Sequence, residues 1–255
     1  METVLNCLKR RPDAVARLIC FPWAGGGSAH FARWGRVMDS VEVFALKLPG
    51  RETRFREPFF QNMEQIVEEV VAALLPMLDE KPFALFGHSF GALTSFAVAE
   101  RLKKQHNVEP VHMFLSGAPA PFSEIRLKSQ RRSELSDEDF LRWLSSMGGT
   151  PPELLGNPEV LQFFLPALKA DLHVVENYRC ARPERPLLHC SLSCLDGKDD
   201  LPHNLQGQPQ EVHTDGTRSG PPKLTLSVCV FSEQSGDASH LGSSPSGCST
   251  ALTST

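Results

Sequence analysis

The chain has 255 residues, 41% of them hydrophobic and 22% charged, which suits one or two α/β domains and excludes a disordered chain, a collagen-like repeat or a disulfide miniprotein. A formal net charge of −4 gives no electrostatic reason to expect nucleic acid or an acidic membrane as partner. No apolar run approaches the ~20 residues of a bilayer span, and the N-terminus METVLNCLKRRPD lacks the apolar core of a signal peptide. The seven cysteines show no paired CxxC spacing, so free thiols, no metal site and a cytosolic setting are expected.

Residues 17–21 (RLICF) are a short β-favouring run that ends in Pro22-Trp23-Ala24-Gly25-Gly26-Gly27-Ser28. A helix is expected over 29–38, with Phe31, Trp34 and Val37 on one side, and residues 41–48 (VEVFALKL) form a second strand stopped by Pro49-Gly50. Over 63–78, Ile66, Val67, Val70, Val71, Leu74 and Leu75 share one stripe while Glu64, Glu68 and Glu69 point away, the pattern of an amphipathic helix. A third strand at 83–86 runs into Gly87-His88-Ser89-Phe90-Gly91 and a helix over 92–104; further strands are expected at 111–115 and 187–195. Alternating strands and helices imply a mostly parallel sheet covered on both faces.

Two stretches break this rhythm. Residues 123–180 contain no clear strand and read as helices at 133–147, capped by Ser136, and at 158–178. Such an insertion is expected to cover a site as a lid, with Phe140, Trp143, Phe163 and Phe164 as its aromatic lining. From about His203 to Thr255, Ser, Thr, Gly and Pro make up roughly half of the residues, a composition that favours poor order. Only 223–231 (KLTLSVCVF) reads as a strand there, and no closing helix follows. The expected division is a folded domain over 1–202 with its helical insertion and a divergent tail over 203–255, leaving the C-terminal part of the architecture incomplete.

Gly87-His88-Ser89-Phe90-Gly91 is a G-x-S-x-G between an apolar strand and a helix, the context of a nucleophile elbow. There Ser89 is the expected nucleophile, and the Phe90 amide at the helix N-terminus faces the oxyanion formed on it. The second oxyanion donor comes from a loop after an earlier strand. Trp23 or Ala24 fits, with Ala24 preferred; the loop lacks both the GxGxxG spacing and the Lys-Ser/Thr ending of nucleotide sites. The acid of a triad belongs after the fifth strand, where Asp200 is the first choice and Asp199 and Asp196 are substitutes. Three histidines follow: His203 stands too close to Asp200, His213 has no strand before it, and His240 follows the strand-like run, which makes it the candidate base. His88 is expected to serve local hydrogen bonding.

Residues 18–28 (LICFPWAGGGS), 30–34 (HFARW), 48–52 (LPGRE), 83–91 (FALFGHSFG), 148–151 (GGTP) and 170–171 (AD) closely resemble the type II thioesterases of the α/β-hydrolase superfamily. The resemblance implies an α/β-hydrolase sheet with a helical lid and an acyl-serine mechanism without metal or cofactor. It also implies hydrolysis of medium- or long-chain fatty acyl thioesters on the phosphopantetheine arm of the acyl carrier protein domain of fatty acid synthase. Ser89 matches the family nucleophile and Asp200 its G-x-x-D acid. The family's Gly-Gly-His-Phe histidine motif has no counterpart, and the likeness ends near His203. A monomeric hydrolase is therefore expected, the alternative being a catalytically silent binder of acyl carrier protein. The 48–52 and 21–27 motifs disfavour a general lipase or carboxylesterase.

Overall fold

The computed structural model describes residues 2–148, 150, 155–182, 184, 187–197 and 226–231. Among them, seven strands form one sheet in the order β1-β3-β2-β4-β5-β6-β7: β1 (Leu5–Asn6), β2 (Ala16–Phe21), β3 (Val41–Leu46), β4 (Phe83–His88), β5 (His112–Ser116), β6 (Ser191–Gly197) and β7 (Leu226–Phe231). The five central strands are parallel, and β1 and β7 pair antiparallel at the two edges. The helices are α1 (Ala29–Ala32), α2 (Met63–Leu78), α3 (Phe90–Arg101), α4 (Glu124–Lys128), α5 (Asp137–Met147) and α6 (Pro158–Asn177).

Strands β2, β3 and β4 are largely apolar on both faces, and each face finds its own cover. Ile19, Phe21, Phe44, Leu46 and Leu85 join a large core with Ile66, Val70 and Leu74 of α2, Leu93 and Val98 of α3, Phe140 of α5 and Leu168 of α6. The alternate residues Leu18, Cys20, Val43 and Ala45 pack with Phe31, Ala32 and Trp34, and Phe86 closes on Trp34 with ring centroids 4.9 Å apart. Burial drives the Cys20 thiol far above its ordinary pKa, so it behaves as a small apolar side chain.

Helix α2 spans the residues its stripe predicts, starting where Asn62 Oδ1 accepts from the Gln65 amide at 3.0 Å, an N-cap that satisfies one of the first-turn donors. The helix expected over 29–38 stays α-helical only to Ala32, tightens to a 3₁₀ turn over Arg33–Arg36 and leaves Val37 80% exposed. Strand β5 starts at His112 rather than 111; the exposed Val111 precedes it, its amide donating to Phe83 O of β4 at 2.9 Å. Strand β6 starts at Ser191 rather than 187: the His189 and Cys190 amides both donate to Glu109 Oε1, so a carboxylate takes the donors a ladder would need. Helix α3 gives way after Arg101 to a wider π-type turn, which Asn107 ends with a left-handed φ of 52°.

The helical insertion is knit together by polar contacts. Ser136 caps α5 as expected, its Oγ accepting from the Asp139 amide at 3.1 Å. Glu176 of α6 accepts from the amides of Arg132 and Ser133, Arg126 of α4 donates to Val175 O and Tyr178 O, and Lys169 donates to Leu135 O. Among the described residues no helix is long and apolar enough to cross a membrane.

Strand β4 leads into the Ser89 bend, and Leu85 at its centre is fully buried. Leu85→Ala is expected to lower unfolding stability by about 3 kcal/mol, the cost of a core cavity. Urea denaturation of the two proteins checks this.

Candidate active site

Ser89 sits between the last residue of β4 and the first of α3, with φ 54° and ψ −113°. A non-glycine residue with positive φ stores about 1–3 kcal/mol of strain, and here the surroundings leave the backbone no alternative. A Cβ on Gly87 would lie 2.3 Å from Gly91 O, and one on Gly91 would lie 2.1 Å from Phe21 O. Both positions therefore require glycine. The Ser89 amide donates to Ser116 O at 2.7 Å, which ties the bend to the end of β5. Ser89 itself is half-buried at the mouth of the bend while Phe90 is buried beneath it. As the first residue of α3, Phe90 has an amide with no acceptor inside the helix. His88 turns aside, its Nδ1 3.0 Å from Ser116 Oγ, in keeping with the local role expected of it.

The loop after β2 runs alongside. Gly25 adopts φ 75°, the Gly26 amide closes a turn onto Trp23 O at 2.9 Å, and the Gly25 amide donates to Asp171 Oδ2 at 2.8 Å. Among the described residues the Ala24 amide donates to none. Glu52, itself at φ 50°, accepts from the Ser28 amide, Ser28 Oγ and the Ala29 amide at 3.0–3.2 Å. Its neighbour Arg51 grips both Asp171 oxygens, Nη1 to Oδ2 at 2.6 Å and Nη2 to Oδ1 at 2.8 Å. Sequence reasoning gave Arg51, Glu52 and Asp171 no individual task. The available signal was an opposite-charge pair directly after a strand-ending Pro-Gly, at the sheet edge that carries the site.

This edge is the C-terminal edge of the parallel strands, where ligands of open α/β sheets bind. The end of β6 lies on it as well: Leu195 O accepts from the Gly117 amide at 2.9 Å, and Asp196 is half-buried there. Asp199 and Asp200, which follow β6 in the sequence, lie outside the described residues, as do His203, His213 and His240. Among the described residues no group of three His, Cys, Asp or Glu side chains is placed to hold a metal ion.

The aromatic residues expected to line the cover divide differently. Phe140 is fully buried in the core, Phe163 is 74% exposed on the outer side of α6, and Trp143 and Phe164 are half-buried. Phe164 meets the loop after β2: a Cβ on Gly25 would lie 3.0 Å from Phe164 Cε2. Phe140 packs into the main core, its ring tilted 59° to that of Trp143 with centroids 5.2 Å apart and Lys169 Nζ 5.5 Å from it.

The model of the thioesterase domain family matches residues 16–217. The chain belongs to the thioesterase family. Its fold and its relatives are those of serine thioester hydrolases of the α/β-hydrolase type. The thioesterase is 46% identical over 207 residues to the rat medium-chain S-acyl fatty acid synthase thioesterase, covering 81% of this chain and 79% of that one. The human protein of the same name is 41% identical, covering 80% and 78%. Among solved structures, YbtT, the type II thioesterase of a yersiniabactin pathway, superposes with a TM-score of 0.68 at 28% identity, covering 80% of this chain and 82% of that one.

In the thioesterase, Gly91→Val is expected to abolish soluble folded protein, because the added carbon atoms would collide with main chain at the end of β2 rather than with a side chain able to move. Circular dichroism and size-exclusion chromatography of the variant check it; a soluble, active Gly91→Val would contradict this account of the bend.

Proposed function

We propose that the protein hydrolyses medium- or long-chain fatty acyl thioesters on the phosphopantetheine arm of the acyl carrier protein domain of fatty acid synthase, releasing free fatty acid and ending chain growth. The observation that carries this reading is the strained bend at Ser89, beside a glycine-rich loop, in a chain whose relatives bear the name S-acyl fatty acid synthase thioesterase.

A serine hydroxyl is a weak nucleophile until a base removes its proton. Ser89 Oγ attacks the thioester carbonyl carbon as its proton passes to the base, assigned to His240 and oriented by Asp200. The resulting oxyanion is held by the Phe90 and Ala24 amides, fixed dipoles that need no reorganisation as charge develops. The C–S bond breaks, the pantetheine sulfur takes the proton from the base, and the acyl group remains on Ser89 as an ester. Water, deprotonated by the same base, attacks that ester; the fatty acid leaves and Ser89 regains its proton. No metal or cofactor enters. The helices of 123–180 cover the acyl chain, with Phe164 and Leu168 beside the loop. The same reading makes the chain a cytosolic monomer, folded over 1–202 with a divergent tail.

A specific observation favours a second reading. The chain carries no Gly-Gly-His-Phe sequence, and a triad without its base loses orders of magnitude in turnover while substrate binding suffers less. Under that reading the chain binds acyl carrier protein without releasing the acyl group.

Ser89→Ala is expected to reduce acyl thioester hydrolysis by at least about 10³-fold without loss of fold. The wild type is expected to prefer thioesters to oxygen esters and to be labelled promptly at Ser89 by a fluorophosphonate. Turnover retained in Ser89→Ala would refute the nucleophile. Acyl carrier protein binding without labelling or turnover would establish the silent binder.

A further inference from the structure

The loop over 22–28 carries the second oxyanion donor in the reading above; Trp23 and Ala24 pack on the core, but the three glycines that follow have no side chains to pack. Polar contacts must fix that stretch for the neighbouring amide to stay in register to within a fraction of an ångström. At its far end Glu52 accepts three hydrogen bonds from Ser28 and Ala29. At its near end the Gly25 amide is held by Asp171 Oδ2, the same oxygen that receives Arg51 Nη1, and Arg51 Nη1 also donates to Gly26 O at 3.1 Å. The Arg51 and Asp171 side chains are only 11% and 8% exposed. Leu168 and Phe164, one and two turns before Asp171 on α6, press on Gly25 from the same side.

A buried ion pair adds little net stability over apolar residues of similar volume, so folding energy alone does not account for this one. Its geometry does more. It uses up the Gly25 amide, leaves the adjacent Ala24 amide without an acceptor among the described residues, and joins that stretch of loop to α6. We propose that Asp171 and Arg51 are positioning residues for the oxyanion loop, holding Ala24 in register with Ser89 by anchoring Gly25 to helix α6. The proposal rests on the assignment of Ala24 and Ser89 made above.

The test compares wild type with Asp171→Ala, the double variant Arg51→Ala/Asp171→Ala, and the double variant Arg51→Ala/Asp171→Asn. Each is measured for kcat and KM on decanoyl-pantetheine, for the rate of fluorophosphonate labelling at Ser89, and for its urea midpoint. Asp171→Ala leaves the Arg51 charge unpaired, so its midpoint falls; Arg51→Ala/Asp171→Ala removes both charges and is expected to recover much of it. Its kcat and labelling rate should nevertheless stay about 10–100-fold below wild type with KM within about twofold, because Gly25 still lacks its acceptor. Arg51→Ala/Asp171→Asn, which differs from the Ala double variant by restoring an oxygen for Gly25, should regain part of the rate, the remainder being the share of Arg51, which also holds Gly26 O. A kcat that tracks the urea midpoint across the series, or an Ala double variant with wild-type kcat, would overturn the proposal while leaving the hydrolase reading intact. A wild type that neither labels nor turns over would remove that reading, and this proposal with it.

Discussion

Between β4 and α3 the chain reverses from extended to helical within one residue, and it can do so only because no side chain stands at 87 or 91. The same closeness decides more than the shape of the bend. The first turn of α3 lies against the last carbonyl of β2, Phe21 O, and the first of the loop, Pro22 O, so the loop leaving β2 begins beside Ser89. The strain in the Ser89 backbone is offset beneath it, where Leu85, Phe90 and Val98 are buried in the main core. A half-buried serine at the bend and a glycine-rich loop alongside it thus follow from one contact between two backbones.

That loop shows why charged residues sit inside an otherwise apolar framework. Glycines let amides approach a substrate, but they offer no surface to pack. Hydrogen bonds donated to carboxylates do there what packing cannot: Glu52 accepts at Ser28 and Asp171 at Gly25, with Arg51 neutralising Asp171. Elsewhere buried charges brace the frame, as where Arg54 meets Glu57 and Glu69, or Arg17 meets Glu42. In each case the guanidinium fork satisfies several acceptors at once, which is what makes burying it tolerable.

The helical insertion is part support and part cover. α5 and α6 send Phe140, Leu144, Leu165, Leu168 and Val174 into the common core, and α6 touches the glycine-rich loop directly. Its polar ties, Glu176 to the 132–133 amides and Lys169 to the start of α5, make α6 the fixed member. Of the aromatic residues, Phe140 serves core packing with Trp143 and Phe164 against it, Phe163 faces out, and Phe164 also stands beside the loop.

Local pattern was enough for the elements whose burial is one-sided and continuous. The stripe from Ile66 to Leu74 placed α2 to the residue, and the G-x-S-x-G with its flanks placed the bend, because the collision of a Cβ with neighbouring backbone follows from a tight strand-to-helix turn wherever it occurs. Strand ends were less legible: β6 begins late because Glu109, some eighty residues earlier in the chain, takes the amides before Ser191. The inward turn of Phe140 and the joining of Arg51 to Asp171 across 120 residues of sequence belong to tertiary structure alone. Periodicity reports which side of an element is apolar; only the assembled fold decides which distant charge meets which amide.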